Sequence, residues 1–322
     1  MKRDILSAFR FSAASRKVIF ILLAILCLMP FMSPPLALVL GFVVAQIFEH
    51  PFPQLNQKAT DILLKMSVVG LGFGMNIFSA MQAGREGILL TLVSITAVLA
   101  LGALAGRLMK VERKVSFLIS AGTAICGGSA IAALSRVMRA GEKEISVALA
   151  TVFILNSIAL FAFPSIGHAF QLSQTQFGLW CAIAIHDTSS VVGAASQYGP
   201  LALQVATTVK LARALWIIPV AFGAGLVFKN KNAKMNIPYF IGLFVLAMVA
   251  NTYIPFARSM APYIVNAAKA GLTLTLFLIG SGLSMKTIRS VGVKPLLQGV
   301  LLWMVISVIA LYAVMVLGKG LG

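Results

Sequence analysis

The stretch FGLWCAIAIHDTSSVVGAASQ, residues 177–197, is apolar at both ends and carries a carboxylate in its middle. An ionisable side chain at membrane depth costs at least about 2.5–3.5 kcal/mol on insertion scales, so Asp187 marks a functional position. His186, Thr188, Ser189 and Ser190 surround it with polar groups, and an imidazole titrates near neutral pH. The chain has eight acids. Only Asp187 lies deep in an apolar stretch; the others fall in or beside predicted loops. The same residues would also serve a structural polar knot between helices.

A second stretch, VSFLISAGTAICGGSAIAALSRV at 115–137, is a poor helix interior. Each glycine costs about 1 kcal/mol relative to alanine, and the adjacent pair Gly127-Gly128 predicts a break. Backbone groups freed at membrane depth must find partners in protein or in a water-lined cavity. A helix that restarts there, with Cys126, Gly127, Gly128 and Ser129 at its beginning, points unpaired N–H groups and a positive dipole end inward. That is an anion site. Close helix packing by small residues would give the same composition.

The rest of the chain fits a bilayer. Of its 322 residues 60% are hydrophobic and 11% charged, and the mean hydropathy is +0.98. Soluble domains are about 45–50% apolar and about 25% charged. A span needs about 20 apolar residues. Such runs lie roughly at 18–32, 34–48, 62–79, 87–106, 145–166, 203–228, 237–254, 268–284 and 295–317. With the two unusual stretches the expectation is an all-α polytopic membrane protein of about 9–11 transmembrane segments. It reads as one integral membrane domain over 1–322, with approximate halves 1–166 and 177–322. The formal charge of +18 punctuates the spans and is not gathered on one soluble face, which argues against nucleic acid. Lys2, Arg3, Arg10, Arg16 and Lys17 precede the apolar run from Val18, and Pro30, Pro34 and Pro35 follow it with no small-residue cleavage site. The expectation is a retained first span with a cytoplasmic N-terminus.

Loop charges select a topology. If both unusual stretches cross fully, Arg136, Arg139 and Lys143 lie outside and the uncharged 167–176 linker inside. If both enter and return, the basic loop moves to the cytoplasm, beside Arg107–Lys114, Lys229–Lys234 and Lys286–Lys294. The positive-inside rule therefore favours two re-entrant segments entering from opposite faces, with two discontinuous spanning helices as the alternative. Internal matches point the same way. Gly70, Gly72 and Met75 match Gly280, Gly282 and Met285; Ala124-Ile125 and Ser129 match Ala184-Ile185 and Ser189. Opposed copies are the pattern of inverted-repeat transporters.

Lys210 and Arg213 lie on the next apolar span at i, i+3, on one helix face. Asp187 is the expected partner, leaving one positive charge to face an anion; arginine holds oxyanions in a planar fork. Asp61 and Lys65 form an i, i+4 pair, and Asn156 is an isolated amide in a span. Cys27, Cys126 and Cys181 fit neither a zinc site nor a disulfide framework.

Ala124-Ile125-Cys126-Gly127, Ile185-His186-Asp187, Lys210-Leu211-Ala212-Arg213 with Pro219, and Val293-Lys294-Pro295-Leu296-Leu297 together resemble the bacterial inner-membrane family assigned to sulfate export (PSE). The resemblance runs over nearly the whole chain. It implies a relative of the cation–proton antiporters and anion transporters, with inverted repeats, a moving core of broken helices and a dimerising scaffold. Sulfate or organosulfur anions are the substrates it implies, and Asp187 fills the place of the acid that commonly follows the membrane histidine.

The expected function is secondary transport of a small anion out of the cell. Gly127, Gly128 and Ser129 would offer donors, Arg213 or Lys210 charge, and His186 and Asp187 gating or a coupling proton. Thr188, Ser189, Ser190 and Cys126 complete the expected substrate-binding set. Membrane lipid, the anion, a coupling proton or cation and a second copy are the expected partners, with no cofactor, metal or nucleic acid. The rivals are a cation–proton antiporter with Asp187 as ion site and an integral-membrane enzyme using His186 and Asp187 as acid and base.

Overall fold

The computed structural model describes residues 12–47, 51–228, 239–283 and 291–317. Among them no strand occurs, and the helices are α1 (Ala13–Leu26), α2 (Pro34–Ile47), α3 (Pro53–Gly72), α4 (Ile77–Leu108), α5 (Arg113–Ala124), α6 (Gly128–Met138) and α7 (Glu142–Ala169), followed by α8 (Gln174–Ala184), α9 (Thr188–Tyr198), α10 (Pro200–Ala214), α11 (Ile217–Val227), α12 (Tyr239–Tyr253), α13 (Pro255–Gly282) and α14 (Val293–Leu317). The all-α polytopic expectation holds. Five segments are long and apolar enough to cross a bilayer: Gly87–Leu108, Glu142–Ala169, Pro200–Val227, Pro255–Gly282 and Val293–Val316. The other expected spans fall on α1, α2, α3 and α12, where the helices are shorter or, in α3, interrupted by Lys58, Asp61 and Lys65. The N-terminal basic residues Lys2, Arg3 and Arg10, the Lys229–Lys234 cluster, Met285 and Lys286 lie outside the described residues.

Local chemistry sets the helix ends. Prolines Pro34, Pro53, Pro200 and Pro255 open their helices, where a missing N–H costs nothing. Ser173 and Gln176 form a reciprocal capping box at the start of α8, with N···O distances of 3.2 and 2.9 Å. Pro219 cannot donate to the carbonyl four residues back. The chain tightens just before it: Leu215 N–H donates to Ala212 O and Trp216 N–H to Arg213 O, splitting α10 from α11.

The segments 113–138 and 174–198 are helical hairpins that return to the side they came from. At the first, Lys114 on the opening turn of α5 donates to Arg139 O beyond the end of α6, at 2.9 Å. At the second, Tyr198 at the end of α9 donates to Leu172 O before α8, at 2.7 Å, and its ring stacks on Phe177. The two bases sit at opposite ends of α7. Glu144 in its first turn lies 3.6 Å from Lys114, and His168 in its last turn stacks on Tyr198. α7 has 28 residues, a rise of roughly 42 Å. The hairpins therefore enter from opposite faces, and their tips meet: a Cβ on Gly127 would lie 3.3 Å from His186 O and from Asp187 Cα.

α7 packs against both arms of the first hairpin and against α9, while α10 packs on α8, α9 and α4, and α14 on α4, α5, α7 and α8. Around this centre α2, α3, α12 and α13 form a second group built on α13. Its tightest crossing joins α2 to α13. A Cβ on Gly41 would sit 2.1 Å from Phe277 O, and one on Gly280 would sit 2.2 Å from Leu38 O. α3 and α13 run antiparallel, because Gly70 faces Ala268 whereas Gly282 faces Asn56. That agrees with the opposed directions expected of the Gly-x-Gly pair.

The hairpin geometry predicts labelling. In a background without Cys27, Cys126 and Cys181, all buried, Arg113→Cys and Arg136→Cys react with an impermeant maleimide from one face only. Ala169→Cys and Gln197→Cys react only from the other. Arg113 and Arg136 labelling from opposite faces would mean that α5 and α6 form a crossing helix instead.

Candidate functional site

The site begins with two helix breaks. α5 ends at Ala124, and the chain turns through Ile125 (φ −117°, ψ −88°) and Gly127 (φ 64°, ψ −123°) before α6. The positive φ and the nearby His186–Asp187 backbone both call for glycine at 127. α8 ends at Ala184, and extended residues Ile185 and Asp187 lead into α9. Every helix end leaves its last carbonyls without intrahelical partners, and both of these ends are buried.

Two basic side chains from α10 take up those carbonyls. Lys210 Nζ donates to Ile185 O at 2.6 Å and to Ala182 O at 3.3 Å. Arg213 Nε donates to Ala124 O at 2.5 Å, and its Nη1 donates to Ile183 O at 2.9 Å. Arg213 thus ties the end of α5 to the end of α8, one hairpin to the other. Both side chains are 0% exposed. Cations at helix C-termini also meet the negative end of the macrodipole.

Asp187 is placed differently from expectation. Among the described residues it forms no ion pair with Lys210 or Arg213. Its Oδ2 accepts from Ser190 N–H at 3.1 Å, from Ser190 Oγ at 3.4 Å and from Ser189 Oγ. The carboxylate is the N-cap of α9, and the positive end of that helix balances its charge. The basic groups point to carbonyls because an orphan carbonyl has no other source of donors, whereas Asp187 has one in its own helix.

The remaining expected residues divide between the two tips. Cys126 Sγ lies 2.9 Å from Ser129 Oγ, a local contact within the first tip. Gly128 faces Phe153 and Leu149 of α7, where a Cβ would meet Phe153 at 3.2 Å. His186 is fully buried, with its N–H on Asn156 Oδ1 at 3.0 Å. Thr188 is buried in the first turn of α9. Asn156 joins the site through the His186 N–H, and Thr123 is buried one residue before the end of α5; neither belonged to the expected binding set. A lone amide in the apolar run 145–166 was the available signal for Asn156; Thr123 gave none.

Several buried polar atoms here lack partners: both ring nitrogens of His186, Nη2 of Arg213, Nδ2 of Asn156 and Oγ1 of Thr123. Buried polar groups are normally paired, which makes these atoms the candidates at the crossing for contact with a polar ligand or water. Among the described residues no group of three His, Cys, Asp or Glu side chains could hold a metal. An apolar crevice lined by Leu90, Val93, Val305 and Ile309 runs between α4 and α14 and touches the centre only through Ile183.

Fold and centre together define an integral membrane protein built around two opposed re-entrant hairpins. The chain belongs to the family described as conserved hypothetical protein 698, which matches residues 17–315. It is similar to a UPF0324 membrane protein of Bacteroides thetaiotaomicron, 55% identical over 277 residues, 85% of this chain and 84% of the relative. A UPF0324 membrane protein of Bdellovibrio bacteriovorus is 50% identical over 306 residues, 93% and 94% of the two chains. No solved structure matches.

The hydrogen bonds rank two substitutions. Arg213→Met strands Ala124 O and Ile183 O, and each buried unsatisfied group costs about 1–3 kcal/mol. A fall in thermal midpoint is expected in detergent. Asp187→Asn keeps an N-cap of similar rank, with a change of a few tenths of a kcal/mol. The opposite order would show that Asp187 neutralises the basic pair.

Proposed function

We propose that the chain is a secondary carrier that exports a small anion by alternating access, with sulfate or an organosulfur anion as the substrate class. The observation that carries this reading is Arg213, which joins both hairpin tips and keeps Nη2 unpaired. In carriers with broken helices, half-helix N-termini face anionic groups while the C-terminal ends and unwound carbonyls face cations. α9 already has a carboxylate on its N-terminus, whereas the N-cap of α6 is Gly127, which brings no side chain. The anion is placed at the start of α6, beside Gly127, Gly128 and Ser129, with Arg213 Nη2, Asn156 Nδ2 and His186 supplying donors. Two basic groups against one carboxylate give the centre a positive excess.

The chain acts as a carrier and not as an enzyme in this proposal. The uncharged end of α7 faces outward, and the base of the first hairpin, with Arg107, Lys110, Arg113, Lys114, Arg136, Arg139 and Lys143, faces the cytoplasm. That orientation belongs to a bacterial inner membrane with a cytoplasmic N-terminus. α2, α3, α12 and α13 supply the scaffold, and pairing of two copies through it makes a homodimer.

One observation favours a second reading, a cation–proton antiporter: the Asp187 carboxylate has no basic partner, and its hydrogen bonds gather on Oδ2. Thermal unfolding of the purified chain against sulfate, sulfite, a short alkyl sulfonate and chloride separates the two. Ligand at about 100 times its Kd adds about 2.7 kcal/mol to apparent stability. The proposal expects a saturable rise with one of the sulfur oxyanions that disappears in His186→Ala. A response confined to cations or pH, and abolished in Asp187→Asn, would replace it with the antiporter.

A further inference from the structure

We infer that Lys210 and Arg213 are tethered cations standing in the seats where a carrier of this architecture would hold a coupling metal ion, so that turnover draws on no sodium or potassium ion at the crossing. The inference rests on the carrier reading above, but its chemistry concerns the C-terminal ends of α5 and α8 and not the N-terminal end of α6 where the anion is proposed to sit.

The breaks present two kinds of terminus to the centre. The N-terminal ends of α6 and α9 offer N–H groups, and the C-terminal ends of α5 and α8 offer oxygens. Unwound carbonyls and half-helix C-termini are where such carriers coordinate sodium ions or protons. Here the oxygens of Ala124, Ala182, Ile183 and Ile185 all accept from two side chains of α10. The ammonium of Lys210 bridges two of these oxygens, as a small monovalent ion would. The guanidinium of Arg213 takes one from each hairpin.

These cations cannot leave. Lys210 and Arg213 are one turn apart on α10, which packs along α8 and α9, and both side chains are fully buried. The nearby carboxylate is turned to its own helix, where Asp187 Oδ2 accepts from Ser189 and Ser190, and none of the four carbonyls shares a donor with it. A mobile cation arriving here would meet two fixed positive groups and carbonyls already in use. The arrangement keeps the positive field at the anion site permanent, where an exchangeable ion would make it depend on the ion gradient.

The test uses the full-length chain in detergent, with chloride as the constant anion. Sodium, lithium and potassium are each exchanged against choline at fixed ionic strength, and thermal unfolding is followed for the wild type and for Lys210→Ala. The wild type is expected to show the same midpoint in every cation. Lys210→Ala opens a seat between Ala182 O and Ile185 O and is expected to gain a saturable rise with one of these ions or with methylammonium. A saturable sodium, lithium or potassium response in the wild type overturns the inference. So does a folded Lys210→Ala that answers to none of the four cations. If Lys210→Ala does not fold, the wild-type response decides alone. Because the anion never changes in this series, its failure is distinct from failure of the anion-carrier reading, which only an anion series reports.

Discussion

Four backbone carbonyls stranded by two helix breaks are the constraint on which the centre of this protein turns. In a bilayer a freed backbone group has no solvent to fall back on, so a broken helix survives only if the protein supplies the partner. Lys210 and Arg213 supply it, from one turn of one helix, to both hairpins at once. Removing either basic group leaves oxygens bare, and removing the breaks leaves two cations buried without acceptors. The breaks and the basic pair therefore stand or fall together. Pro219 and the tight turn at Leu215–Trp216 close α10 immediately beyond Arg213.

This hold divides the labour among the other polar residues. Because the basic groups are engaged by carbonyls, Asp187 is released to cap α9, and the two hairpin tips differ: one carries a carboxylate on its N-terminal helix end, the other only glycine. Asn156 fixes the backbone of His186 and leaves the imidazole unengaged. The pair of tips is therefore asymmetric, with a carboxylate on one N-terminal helix end and none on the other.

Much of this was legible in the residues. Gly127-Gly128 and the polar run around Asp187 marked the breaks, and the distribution of Arg and Lys over the loops selected re-entrant segments from opposite faces. The Lys114–Arg139 and Tyr198–Leu172 contacts give the same answer. The destination of the charges was not legible. Opposite signs in one region invite pairing, but a sequence does not show which carbonyls a break will strand, and here those carbonyls outcompete the carboxylate. Gln298 was missed for a related reason. It sits at the start of the apolar run of α14 and looks like an interfacial residue, yet it is 0% exposed and donates to Gly102 O and Ser116 Oγ. Gly102 and Gly106 make room for the Ser120 and Ser116 side chains at that junction, a packing relation between distant segments that spacing alone does not encode.

The anion-carrier account is tested most directly by counterflow in proteoliposomes holding the purified chain. Vesicles loaded with unlabelled sulfate, sulfite or a short alkyl sulfonate are diluted into a trace of the labelled anion. The account predicts saturable, trans-stimulated accumulation of at least one of them, lost in His186→Ala and retained when sodium is replaced by choline. Absence of exchange for all three anions, together with sodium- or potassium-driven proton movement that disappears in Asp187→Asn, would contradict it.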